Sequence, residues 1–114
     1  MKFTLTKKDI FALNQKIKEH TCFRNEQSLD FALSYARRTE NWIKALAYAV
    51  RAINLDHVFE DGNKRTTALL IKSYIEYEGY EAYKDKVVKL VADIATNRIK
   101  SIKRIEEKIK NVIK

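Results

Sequence analysis

Proline is absent from this chain and glycine occurs only at positions 62 and 79, so almost nothing in it is suited to interrupting a helix. An all-α fold is the expectation. A single cysteine, Cys22, excludes an intramolecular disulfide. The lack of a charged-then-apolar leader and of any long apolar run argues against export or membrane insertion, so the reading is a cytoplasmic protein. No motif surrounds Cys22, which reads as a semi-buried packing residue and not a nucleophile. The 114 residues suit one domain, 1–114, with one hydrophobic core. An apolar share of 46% with 33% charged residues is ordinary for a soluble globular protein.

What is present is helical periodicity, repeated six times. Thr6 and Asp9 have the spacing of a capping box, and Ile10, Leu13 and Ile17 then share a face, predicting a helix over about 6–20 that His20 closes. His20 reads as a structural or solvent-facing residue. After the polar break Arg24–Ser28, a second helix carries Leu29, Ala32, Leu33 and Ala36 on one side. Past Thr39-Glu40, the spacing of Ile43, Leu46, Ala47, Val50 and Ile53 predicts a third that runs into a loop near Asp56. A fourth, with Ala68, Ile71 and Ile75 on one stripe and Leu69 and Leu70 beside them, should be central, with few exposed early positions, and should stop at Gly79. Asp85 is a candidate cap for a fifth through about Asn97 on Val87, Leu90, Val91 and Ile94. Ser101 is one for a sixth on Ile102, Ile105, Ile109 and Val112. The expected architecture is a compact bundle of about six helices with a loop between two core helices.

That loop holds the most informative run, His57-Val58-Phe59-Glu60-Asp61-Gly62-Asn63-Lys64-Arg65. A histidine can take a proton from an attacking hydroxyl near neutral pH. Asp61 offers hard oxygens, and one carboxylate plus nucleotide phosphates is a common way to hold Mg²⁺. Gly62 permits close backbone approach, and Asn63, a favoured N-cap type, would start a helix whose free N–H groups attract anions. Lys64 and Arg65 add cations in the first turn, where they oppose the helix dipole unless an anion sits nearby. Phe59 reads as a buried anchor. Taken singly, each of these residues would more often be structural; their constellation points to phosphate chemistry. Thr66 and Thr67 can hydrogen-bond a phosphate, but threonines so early in a helix are commonplace and are left out of the site.

The run His-x-Phe-x-Asp-Gly-Asn-Lys-Arg resembles the core motif of the Fic/Doc superfamily, and within it the death-on-curing (Doc) branch. Lys64 stands where the nucleotide-transferring Fic enzymes carry a second glycine, and Ala68 where they carry a further arginine; both departures are shared by the Doc branch. The resemblance implies a compact helical domain that transfers a phosphate-containing group from ATP, or another nucleoside triphosphate, to a hydroxyl of a target protein such as a translation factor. It implies His57 as general base, Asp61 as the Mg²⁺ ligand, and Asn63, the backbone at Gly62 and Arg65 around the transferred group. Lys64 would fill the room of an α-phosphate, reversing the nucleotide so that phosphoryl transfer, a kinase-like activity, replaces AMP transfer. The inhibitory Ser/Thr-x-x-x-Glu-Gly/Asn helix of many Fic enzymes has no complete match, since Ala36 precedes Glu40-Asn41 where a hydroxyl residue is required. Restraint by a separate antitoxin, as in a toxin–antitoxin pair, follows from the same resemblance. A flap that aligns the target segment would lie around Arg24–Gln27.

The formal charge of +8 carries a competing reading. Residues 98–114 hold Arg98, Lys100, Lys103, Arg104, Lys108, Lys110 and Lys114 against Glu106 and Glu107, and a basic helix can be a footprint for nucleic acid. A solvated face with Lys103–Glu107 and Glu106–Lys110 pairs at i,i+4 is the favoured alternative, because no aromatic interleaving, helix-turn-helix spacing or zinc pattern accompanies the charge. An inactive interaction module is the third reading, opposed by the intact His57, Asp61, Asn63 and Arg65.

Overall fold

The computed structural model describes residues 5–114, and in it six α-helices follow one another with two isolated β-bridges and no strand. The first, α1 (Lys7–Gln15), opens on the capping box that Thr6 and Asp9 promise, each side chain bonding the other's backbone N–H. Asn25 caps α2 (Glu26–Ala36), Asn41 caps α3 (Trp42–Asp56) and Ser101 caps α6 (Ile102–Lys110) with side-chain oxygens. The remaining two, α4 (Asn63–Tyr77) and α5 (Lys84–Asn97), start without a side-chain cap. Asp85, expected to cap α5, lies instead inside its first turn, where a carboxylate still faces the positive end of the dipole, and Tyr83 holds the cap position.

Two helices end differently from the sequence expectation or in keeping with it for identifiable reasons. The first stops at Gln15 rather than near His20, because Ile17 and Lys18 turn back to donate to the Asn14 carbonyl while Asn14 and Lys18 engage the loop after α3. His20 is therefore outside the helix, and exposed. Gly79 ends α4 as expected: at φ 91° it lets Tyr80 N–H reach the Ile75 carbonyl and its own N–H reach Glu76, the paired bonds of a Schellman cap.

The core is built from the stripes that the periodicity marks. Ile10 and Leu13 of α1, Leu29 and Leu33 of α2, Leu70, Ile71 and Ile75 of α4, Leu90 and Ile94 of α5, and Ile105 and Ile109 of α6 are all buried. Each such side chain contributes about 1.5–3 kcal/mol by leaving water. The enveloped helix is α3, not α4: it packs against α2, α4, α5 and α6, and Ala45, Ala47, Ala49 and Ala52 let those neighbours approach closely. Its burial on nearly every side leaves α4 free to expose its first turn, with Lys64 and Arg65 in solvent.

Each bridge ties a loop to the core. Ala82 pairs with Ile113, anchoring the C-terminal residues through Tyr83 and Glu81. Phe23 pairs with Phe59, so Cys22–Asn25 runs antiparallel to the loop after α3, with Arg24 and Asn25 N–H on the Val58 carbonyl and Glu60 N–H on that of Cys22. Extended backbone alternates its side chains, so Phe23 turns inward and Cys22 and Arg24 face solvent. That corrects the semi-buried expectation for Cys22, which is exposed. It also shifts the segment beside the loop upstream, since Glu26 and Gln27 belong to the first turn of α2.

On the basic C-terminal segment, the ion pairs run between elements. Lys108 meets Asp93 of α5 at 2.6 Å and Lys114 meets Glu81 at 3.5 Å. Among the described residues the expected Lys103–Glu107 and Glu106–Lys110 pairs along α6 do not form. No helix among the described residues is long and apolar enough to cross a membrane.

Candidate active site

The loop from His57 to Gly62 joins the C-terminus of the most buried helix to the N-terminus of α4, and three aromatic rings fix it from below. Phe59 is fully buried, stacked on Phe23 at 5.3 Å and tilted against Phe11 at 6.3 Å, which makes it the anchor its position suggests. Burying the ring holds both ends of the loop while the polar residues around it face outward.

His57 occupies the C-cap of α3 in the left-handed region, φ 52° and ψ 64°, a conformation that glycine adopts most cheaply. For another residue it costs on the order of 1 kcal/mol. The imidazole is exposed and makes no hydrogen bond to the described chain, so it remains open to an incoming group.

Asn63 corrects one expectation outright. Gly62, at φ 77°, holds the cap position of α4, and Asn63 is its first residue. The Asn63 side chain folds back instead, with Oδ1 accepting the Phe59 N–H at 2.9 Å and Nδ2 donating to the Phe59 carbonyl at 2.8 Å. A side-chain amide offers both a donor and an acceptor, which is what an isolated loop peptide lacks. Asn63 therefore closes the loop as a clamp. With no side-chain cap and no acidic residue in its first turn, α4 presents the backbone N–H groups of its opening residues unmatched, beside two cations.

Asp61 is the carboxylate of the loop. Its Oδ2 accepts from Lys18 Nζ at 2.6 Å and its Oδ1 from the Gly62 N–H at 2.8 Å. The Lys18 bond, followed by the Gly62 N–H and the charge of the same lysine, holds the carboxyl below the usual aspartate range. It is thus anionic at any pH near neutrality. Its side chain is 72% exposed. Among the described residues no group of three or more His, Cys, Asp or Glu gathers, so a divalent ion on Asp61 would draw its other ligands from phosphate and water. That sparse hard-oxygen set fits Mg²⁺.

Two contributors were outside the sequence reading. Asn14, almost fully buried on α1, donates through Nδ2 to the Asp61 carbonyl at 3.0 Å and to Thr66 Oγ1 at 2.9 Å. Lys18 follows one turn later. Their only trace in the sequence is that Asn14 interrupts an apolar face at i+4 from Ile10, a place where a polar residue needs a buried partner. Thr66 and Thr67 are themselves buried, the latter donating to the Asn63 carbonyl at 2.8 Å, so both are committed internally.

Gly62 is boxed in by the end of α1 and the turn that follows it. A Cβ there would stand 3.2 Å from Asn14 Nδ2, 3.2 Å from Lys18 Cγ and 3.3 Å from Ile17 Cδ1, at a φ that side chains resist. Gly62→Ala is accordingly expected to lower stability by about 1–2 kcal/mol, measured by denaturant unfolding, and to disturb the loop. An unchanged unfolding midpoint would show that the loop yields.

His57, Asp61, Gly62, Asn63, Lys64 and Arg65, with Glu60, line one open hollow of about 320 Å³. Arg65 also lines an adjoining groove of about 420 Å³ walled by Ile17, Ala68, Leu69, Val87 and Val88, with Lys72 and Lys84 at its edge. A polar, cation-rimmed hollow opening onto an apolar groove is a shape suited to a phosphate chain with an attached organic group. The Fic/DOC family model matches residues 4–75, which take in α1 to α3, the loop and nearly all of α4. No curated protein and no solved structure matches.

Proposed function

The chain belongs to the Fic/DOC family, whose members are typically transferases that modify proteins, and from that premise we propose that it transfers the γ-phosphoryl group of a nucleoside triphosphate to a hydroxyl side chain of a target protein. The observation that carries the reading is the hollow itself: His57, an anionic Asp61, an uncapped helix N-terminus and two cations around one space.

In this reading the target hydroxyl approaches His57, whose imidazole takes its proton as the oxygen attacks the γ-phosphorus. The bond from that phosphorus to the oxygen bridging to the β-phosphate breaks, and a nucleoside diphosphate leaves. Negative charge on the transferred group is met by the Gly62–Arg65 backbone and the Arg65 guanidinium, which are already in position before the reaction. Asn63 acts by shaping the loop, since its side chain is engaged with Phe59. Mg²⁺, when bound with the nucleotide, would be held by Asp61 and would neutralise phosphate charge. The groove beyond Arg65, where Ala68 leaves room that an arginine would fill, is large enough for a nucleoside.

Lys64 supports the direction of transfer. Its exposed ammonium lines the hollow at the place of a second glycine in nucleotide-transferring relatives, narrowing the space for an α-phosphate and offering a cation to a terminal one. A Doc-like toxin restrained by a separate antitoxin completes the reading, since the chain has no complete inhibitory motif of its own. Mass spectrometry of the proteins of cells expressing the wild type or His57→Ala tests it. A phosphate gained on a Ser, Thr or Tyr only with the wild type is expected; a nucleotide gained there instead would replace phosphoryl with nucleotidyl transfer.

A further inference from the structure

We infer that Lys18, outside the motif and 43 residues before Asp61, is a phosphate ligand of the donor nucleotide, and that its ammonium passes from Asp61 to the phosphate chain when metal and nucleotide enter together. The inference rests on the phosphate-transfer reading of the same site.

Three observations carry it. Lys18 Nζ lies 2.6 Å from Asp61 Oδ2, while the other carboxylate oxygen is engaged by the Gly62 N–H, so the lysine holds a position from which Asp61 would reach a divalent ion. A divalent ion on that oxygen would stand close to the ammonium, and the repulsion between the two cations favours moving the ammonium away. Its stem lies against the loop: Lys18 Cγ is 3.2 Å from where a Cβ on Gly62 would be, at the start of α4. A swing of its outer methylenes would leave the ammonium close to Asp61, which lines the hollow together with Lys64 and Arg65. The strongest anion there, once Asp61 is taken by metal, is the phosphate chain itself. An ammonium carries three donors, one of which Asp61 uses, so the exchange replaces one charge-assisted bond with another. The pair is also easy to part, because the lysine side chain is 33% exposed and the carboxylate 72%, where solvent weakens an ion pair.

This gives Lys18 two effects of opposite sign. It opposes free metal on Asp61, and it favours nucleotide. A merely structural lysine would have neither, or would weaken both ligands together by loosening the loop. The loop does not depend on it, since Asn14 independently holds the Asp61 carbonyl and Thr66.

Binding of Mn²⁺ alone, followed by electron paramagnetic resonance, and of the Mn²⁺ complex of ATP, followed by calorimetry, separates these cases in the wild type and Lys18→Met. The variant is expected to bind the Mn²⁺ complex of ATP about tenfold more weakly and Mn²⁺ alone several-fold more tightly. Lys18→Gln serves in its place should the methionine variant melt well below the wild type. Unchanged ATP affinity, or weakening of both ligands, overturns the inference. A wild-type protein that takes up neither metal-free ATP nor the Mn²⁺ complex of ATP overturns the phosphate-transfer reading itself, whereas nucleotide binding that is indifferent to residue 18 removes only the role of Lys18.

Discussion

Exchanging His57 for alanine is expected to lower transfer by a factor of about 10² to 10⁴, the usual worth of a positioned general base, with the unfolding midpoint close to that of the wild type. The two halves of that result come from one geometry. His57 is exposed and its ring makes no hydrogen bond to the described chain, so no packing is lost with it. Yet it stands at a left-handed helix cap, φ 52°, where glycine is the less strained choice. His57→Gly sharpens the argument: relief of backbone strain predicts stability equal to the wild type or greater by up to about 1 kcal/mol, together with the same loss of transfer. A variant more stable and inactive would mean that the chain keeps a strained histidine for its chemistry. Activity that survives either change would remove His57 as the base.

Asn63→Ala is expected to act on stability and activity together. Both hydrogen bonds to the Phe59 backbone vanish, leaving a part-buried N–H and carbonyl without partners, at a cost of about 2–3 kcal/mol in denaturant unfolding. Transfer should fall close to background, because the loop that aims His57 and the N-terminus of α4 is closed by this clamp. Asn63→Asp separates the two bonds: the acceptor for the Phe59 N–H survives, while the donor to the Phe59 carbonyl is lost and a negative charge enters the anion site. It should be less destabilising than alanine but no more active. An alanine variant of wild-type stability would mean that Phe59 burial alone holds the loop.

The helices and the site were legible in the sequence to different depths. Periodic stripes such as Leu29–Ala32–Leu33–Ala36 and Val87–Leu90–Val91–Ile94 are local signals, and they are buried as a 3.6-residue repeat demands. The grouping of the loop residues was legible for the same reason, since they are contiguous, and His57 with Glu60 to Arg65 come to line one hollow. What escaped was set by tertiary partners. Asn63 has the preferences of an N-cap, but Gly62 takes the cap, and the Phe59 peptide offers the amide a better-matched partner. Asn14 and Lys18 reach the loop from far upstream, and nothing in their spacing announces a partner 43 to 52 residues away. The early end of α1 has the same origin. Cys22 is exposed because an isolated bridge turns Phe23 inward, and a one-residue pairing leaves no periodic trace.

The central claim is that this hollow moves a γ-phosphoryl group, and it is tested most directly by labelled donor. Incubating the protein and its His57→Ala variant with a cell extract, Mg²⁺ and either γ-labelled or α-labelled ATP should put label on protein only from the γ position and only with the wild type. Label arriving from the α position, or arriving equally with the variant, would contradict it.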